Sequence, residues 1–225
     1  MPRKKCKTVY KFDELSDSAK DKAREWYRDG ALDDEWWDSS YDRFEDVAKY
    51  LGIDLCQKPV KLMNGTTRYD PSIWFSGFSS QGAGACFDGT WRASDVKAEE
   101  LKADFTEDKE LHRLADGFAE LAKEYPDATF SVKHTGRYLH SHSTSFDVSL
   151  NDPKEEDLEY DSPEWKKAQE QWTADEETLI ELARDFMDWI YKSLEQEYDY
   201  LNSDEQLDES ILANEYEFTE DGYRA

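Results

Sequence analysis

The chain has 225 residues and carries 53 Asp and Glu against 28 Lys and Arg, a formal charge of −25. Its apolar fraction is only 38%, yet 14% of it is aromatic, and acidic disordered chains lack aromatics because they have no core to fill. A folded acidic protein is expected. Direct nucleic-acid binding is not, because phosphates are neutralised by Lys and Arg and this field repels a polyanion.

No run of about 18 apolar residues is present, so no membrane span is expected. Met1-Pro2-Arg3-Lys4-Lys5-Cys6-Lys7 is basic but has no apolar stretch behind it, so it does not read as a signal peptide. The same run is too short to be a basic DNA-binding module. Cys6, Cys56 and Cys86 are odd in number and widely spaced, which excludes a disulfide framework and makes a reducing cytoplasm the default location.

In chain order, Val9–Phe12 predicts a first strand, followed by an N-cap at Ser16 and a helix with Ala19, Ala23, Trp26 and Tyr27 on one face, stopping near Gly30. A second helix is predicted from about Asp34 to Leu51, with Trp37, Tyr41, Phe44, Val47, Ala48 and Leu51 at helical spacing and Gly52 as its stop. Ile53–Leu62 reads as β structure, and Asn64-Gly65 as a type I′ hairpin turn with positive φ at both residues. Ser72–Ser76 and Ala85–Trp91 predict two more strands. A helix is predicted over Lys109–Tyr125, and alternation predicts a hairpin of Ala128–Arg137 with Ser143–Leu150. Asn151–Ser162 reads as an acidic loop. A long helix then starts at Pro163 and runs to about Leu201, its inner stripe rich in Trp165, Trp172, Leu179, Phe186, Trp189 and Ile190. A short helix over Asp204–Leu212 and an end strand Tyr216–Phe218 complete the chain. The expected fold is a single α+β domain over residues 1–225, mainly antiparallel sheet with packed helices, with an acidic helical C-terminal part from about residue 152.

Three groups of residues bear on chemistry. Gly77, Gly82, Gly84 and Gly89, with Ser76, Ser79, Ser80 and Gln81 among them, allow either a backbone anion cradle or a hairpin loop. The segment lacks the Lys-Ser/Thr of a P-loop, which favours the loop. His140 and His142 would share one face of a strand, with His134 across the hairpin, an arrangement open to zinc or to plain solvation. Cys56 and Cys86 both fall in predicted strands and read as buried small hydrophobes. Ser residues occur without a Gly-x-Ser-x-Gly elbow, and the many carboxylates single out no acid–base pair. No enzyme, cofactor or metal is expected.

The acidity is what remains, and it is uneven. Asp152–Ala225 holds 25 acids against 6 bases, a net of −19, while residues 1–151 carry only −6. On the long helix, Glu177, Glu181, Asp185, Asp188, Glu195 and Asp199 lie off the apolar stripe. Acids three or four apart on a helix are about 5–6 Å apart, a spacing that can approximate a phosphate track and dock in a basic nucleic-acid channel. Self-repulsion destabilises a compact state that concentrates like charge, which hints that the acidity is used. These six residues are the candidate partner-binding set.

Ile73-Trp74-Phe75-Ser76-Gly77-Phe78-Ser79-Ser80-Gln81-Gly82-Ala83-Gly84-Ala85-Cys86-Phe87, with Tyr10–Ser16, Ala23–Tyr27 and the closing Glu215–Gly222, resembles a family of phage and prophage proteins. Some of its members bear the label "antitoxin of toxin–antitoxin stability system". The resemblance implies a mobile genetic element in a bacterial cytoplasm, and brings no catalytic residues with it. The expectation is a non-enzymatic phage inhibitor of a host defence system, of anti-CRISPR or anti-restriction type, whose acidic face mimics DNA toward a basic host complex. The alternative is an antitoxin that neutralises a toxin by direct contact, and homodimerisation is open in either case.

Overall fold

A computed structural model describes residues 7–31, 35–79, 81–152 and 158–225. Its elements, in chain order, are β1 (Tyr10–Lys11), α1 (Asp17–Ala31), α2 (Asp38–Tyr50), β2 (Ile53–Leu55), β3 (Gln57–Lys61), β4 (Thr67–Pro71), β5 (Ile73–Phe75), β6 (Ala85–Phe87), β7 (Gly89–Arg92), α3 (Ala98–Asp104), α4 (Lys109–Glu124), β8 (Thr129–His134), β9 (Thr144–Ser149), α5 (Pro163–Leu201), α6 (Asp204–Ala213) and β10 (Glu217–Phe218). The fold class is α+β with antiparallel strand pairing, as expected, and α5 is the long C-terminal helix. The chain divides into two compact units: Ser39–Ser193, and Met1–Asp38 together with Leu194–Ala225. Met1–Cys6, with the basic Arg3, Lys4 and Lys5, lies outside the described residues, as do Asp34 and Ser80.

The larger unit is built on a four-stranded sheet in the order β2-β7-β8-β9. Side chains alternate across a strand. Ile53, Leu55, Trp91, Phe130 and Val132 therefore share a buried inner face, while Asp54, Thr90, Arg92, Ser131 and Asp147 line up on the outer one. The apolar stripes of the helices pack on this face, on the β5-β6 hairpin and on one another. Trp91 lies 5.7 Å from Phe118 of α4, Phe87 of β6 lies 5.7 Å from Phe186 of α5, and Phe44 of α2 lies 5.5 Å from Trp189. Aromatic burial of this kind is worth about 1.5–3 kcal/mol per side chain, which answers why an acidic chain carries so many rings.

Two predicted strands each divide in two, and at the same place. Ile53–Leu62 becomes β2 and β3, and Ala85–Trp91 becomes β6 and β7. At the break Cys56 N–H donates to the Asp88 carbonyl at 2.9 Å, Ser72 N–H to the Cys56 carbonyl at 2.6 Å, and Asp88 N–H to the Ser72 carbonyl at 3.0 Å. The strands thereby leave the four-stranded sheet for the hairpins β3-β4 and β5-β6. Gly89 is required at this crossing, since a Cβ there would lie 2.8 Å from the Asp54 carbonyl oxygen. Cys86 is buried as expected; Cys56 is exposed, because it falls at the break rather than inside a strand. The Asn64-Gly65 turn also departs from type I′. Only Gly65 has positive φ, +84°, and the loop is Met63-Asn64-Gly65, closed by Leu62 N–H on the Thr66 carbonyl at 2.9 Å. This is the three-residue hairpin with a left-handed third position.

The smaller unit pairs β1 with β10 and sets α1 against α6, around a core of Phe12, Leu15, Ala19, Ala23, Ile211 and Phe218. The first strand is shorter than predicted, because Phe12 already begins a 3₁₀ turn. A two-pronged ion pair fixes α1 to α6: Arg24 Nε donates to Asp208 Oδ1 at 2.6 Å and Nη2 to Oδ2 at 2.7 Å. The chain then closes over α1 at Gly222, whose φ is +86°.

Candidate partner-binding face

Four of the six candidate acids, Glu177, Glu181, Asp185 and Asp188, belong to the larger unit; Glu195 and Asp199 belong to the smaller one. The four recur at i, i+4, i+8 and i+11, which places them on one face of α5. The opposite face, Leu179, Ala183, Phe186, Met187 and Ile190, is buried. Glu177, Glu181 and Asp188 are exposed and Asp185 is half-buried.

The four acids are not electrostatically equivalent. Arg113 of α4 donates through Nη2 to Asp185 Oδ2 at 2.6 Å and to Glu110 Oε1 at 2.7 Å. Hydrogen bonding from Arg113 holds the Glu110 carboxyl below its ordinary range, and the Glu110 and Asp185 carboxylates in turn raise the Arg113 guanidinium. Glu181 accepts from Arg184 Nη1 at 2.6 Å, within its own helix. Glu177 and Asp188 have no ion pair among the described residues. So part of the predicted acidic face is neutralised internally, and part stands open. The sequence reading missed Arg113 because it lies on a different helix, 72 residues from Asp185.

Three further contacts define how α5 lies on α4. Trp189 Nε1 donates to Asp108 Oδ2 at 2.9 Å, and the other carboxylate oxygen of Asp108 caps α4 by accepting from Leu111 N–H at 3.0 Å. A Cβ on Gly117 would stand 2.7 Å from Leu182 Cδ2, so glycine sets the close approach of the two helices. Tyr125 OH donates to Asp175 Oδ2 at 2.5 Å; burial first, and then this carboxylate, pushes the Tyr125 phenol up. As the α4 numbers rise from 108 to 125 the α5 partners fall from 189 to 175, so the pair is antiparallel. Between them, toward the Tyr125 end, is a cleft of about 410 Å³ lined by Gly117, Glu120, Leu121, Tyr125, Asp175 and Leu182 among others.

The other sequence candidates do not converge on a site. The Gly77–Gly84 segment is a hairpin loop between β5 and β6: Ser76 N–H donates to the Gly84 carbonyl at 3.0 Å, and Gly84 N–H to Ser76 Oγ at 2.9 Å. Gly82 supplies the left-handed residue, φ +81°. The backbone N–H groups of Ser76 and Gly84 are thus used in closing the loop. His140 and His142 lie in the loop before β9 and not in a strand, since the ladder starts only at Thr144. Their rings are 5.4 Å apart because His142 N–H donates to His140 Nδ1 at 3.0 Å. His134 is occupied elsewhere, its Nε2 3.0 Å from the Tyr138 carbonyl. Among the described residues no three His, Cys, Asp or Glu side chains gather as a metal site. Also among them, no helix is long and apolar enough to cross a membrane. The Cys86 thiol is pushed up to about 11, chiefly by burial.

Against known proteins, the model of a family described as a domain of unknown function (DUF8835) matches residues 36–204. That stretch runs from before α2 to the first residue of α6 and includes both α4 and the whole of α5. No curated protein and no solved structure matched the chain.

Proposed function

We propose that this chain, which belongs to the DUF8835 family, is a non-enzymatic inhibitor that occupies a basic nucleic-acid-binding surface of a host complex through the acidic face of α5. The observation that carries this reading is the placement of Glu177, Glu181, Asp185 and Asp188 on one helix face, with the opposite face buried. A helix so anchored presents its carboxylates without the ordering cost of an acidic tail. In the finer form of the proposal the protein is phage-encoded, acts in the bacterial cytoplasm, and blocks a defence system of anti-CRISPR or anti-restriction type by mimicking DNA. It contacts no nucleic acid itself.

The test is capture from bacterial lysate on the immobilised chain, in parallel with the variant E177Q/E181Q/D185N/D188N. A partner held by the wild type and not by the variant, weakened steeply by salt and displaced by duplex DNA, supports the reading, because phosphate-like contacts are salt-sensitive. A salt-insensitive partner that duplex DNA does not displace sinks DNA mimicry. If that partner is a single small basic toxin, the antitoxin reading suggested by the resemblance takes its place.

A further inference from the structure

We infer that the cleft between α4 and α5 is a docking groove for an arginine side chain of the partner. This inference rests on the reading of the acidic face just given, and deepens it from a general charge match to a specific contact.

The groove has an apolar floor and a charged rim. Leu121 and Leu182 are almost fully buried and form the floor with Gly117, and the Tyr125 ring lies alongside. Glu120 and Glu124 of α4 and Asp175 of α5 stand around it, with the exposed Thr178 at its mouth. Asp175 already accepts from Tyr125 OH at 2.5 Å and from Gln171 Nε2 at 3.0 Å, which fixes its carboxylate in place. A carboxylate offers about four acceptor positions, so this one can still take a further donor.

The chain itself shows which cation suits the seam. One turn before Gly117 on α4 is Arg113, whose guanidinium bridges Glu110 of α4 and Asp185 of α5 at 2.7 and 2.6 Å. At Gly117 α4 contributes no side chain of its own, the Leu182 side chain of α5 packs against the glycine, and the groove runs from there toward Tyr125. A partner's arginine seated there would repeat the arrangement of Arg113, supplied from another molecule. An ammonium suits the groove less well. It is compact and strongly hydrated, whereas a guanidinium is planar, weakly hydrated and able to pair two carboxylates at once. The groove, lined by other carboxylates than the four of the acidic face, thus adds to a face that attracts any polycation a contact that prefers arginine.

The experiment measures binding of two fluorescent, end-blocked peptides, hexa-arginine and hexa-lysine, to the full chain by anisotropy at physiological salt. The expected result is that the wild type holds hexa-arginine about fivefold more tightly than hexa-lysine. Thr178→Trp fills the groove mouth without changing charge, and should bring the ratio close to one. Glu120→Gln, an exposed position, should reduce it; Glu209→Gln on α6, the same change of charge, should leave it as it is. Circular dichroism checks that Thr178→Trp folds, and Glu120→Gln carries the test if it does not. A wild-type ratio near one, a ratio unchanged in the folded groove variants, or equal effects of Glu120→Gln and Glu209→Gln would each overturn the inference. Those outcomes leave the acidic-face reading standing, since salt response and displacement by duplex DNA decide that reading separately.

Discussion

Asp108 and Trp189 are 81 residues apart and share one carboxylate: Oδ2 accepts the indole N–H while Oδ1 caps the first turn of α4. One side chain thus both starts a helix and holds a second helix against it. Loss of a cap costs about 1 kcal/mol and an orphaned buried donor about 1–3 kcal/mol. Asp108→Ala is therefore expected to destabilise by about 2–3 kcal/mol in urea titration, with Asp108→Asn well under half of that because one acceptor remains. Equal losses for the two variants would mean that the shared carboxylate is not what joins α4 to α5.

Arg113→Gln separates the stability of the seam from its charge. The pair Arg113–Asp185 is partly solvated, so removing it should cost no more than about 1 kcal/mol. The pH dependence has a definite sign. Glu110 is held below its ordinary value of 4.5 by the Arg113 hydrogen bond, so this stabilisation is present above 4.5 and is lost as pH falls through the lowered value. Urea midpoints of wild type and variant should differ at pH 7 and converge in acid. The variant also frees Glu110 and Asp185, so it should bind hexa-lysine more tightly than the wild type does.

Much of this architecture was legible in the sequence. The α4 and α5 spans follow from 3.6-residue periodicity in Leu111, Leu114 and Phe118 and in Leu179, Phe186 and Ile190, and the β8-β9 hairpin from period-2 alternation around Phe130 and Val132. Hidden from sequence were features set by distant partners. The break at Cys56 and Asp88 depends on hydrogen bonds with Ser72, and α3 is too short, at seven residues, to show a period. The acidic face was visible as a pattern, but its partial neutralisation was not, since Arg113 meets Asp185 only through the fold. The groove at Gly117 was invisible for the same reason: an isolated helical glycine reads as a cost until its neighbour is known to be Leu182.

The cysteines give a chemical check on the broken strands. Cys56 is exposed, while Cys86 is buried with its thiol pushed up to about 11. Reaction requires thiolate and access. Maleimide labelling of the native protein at pH 7.5, mapped by peptide mass spectrometry, should modify Cys56 and leave Cys86 unmodified until urea unfolds the chain. Labelling of Cys86 at the rate of Cys56 would place it outside a buried strand.

Gly222 anchors the last strand segment over α1. Its φ is +86°, and a Cβ there would lie 2.1 Å from the Ala19 carbonyl oxygen. Neither the left-handed conformation nor rigid backbone contact can be relieved by a rotamer change. Gly222→Ala should cost at least about 2 kcal/mol and speed amide exchange in α1 and residues 217–224. Exchange within residues 39–193 should change little.

The ion pair between Arg24 and Asp208 joins residues 184 positions apart. At typical synthesis rates of about 5–20 residues per second, α1 leaves the ribosome roughly 10–40 s before α6 is available to it. For that interval Leu15, Ala19 and Ala23 have no Ile211 or Phe218 to cover them. The larger unit, closed by contacts that end at Ser193, can be complete before then. Until α6 arrives, the amphipathic α1 presents an uncovered apolar face that a chaperone can hold.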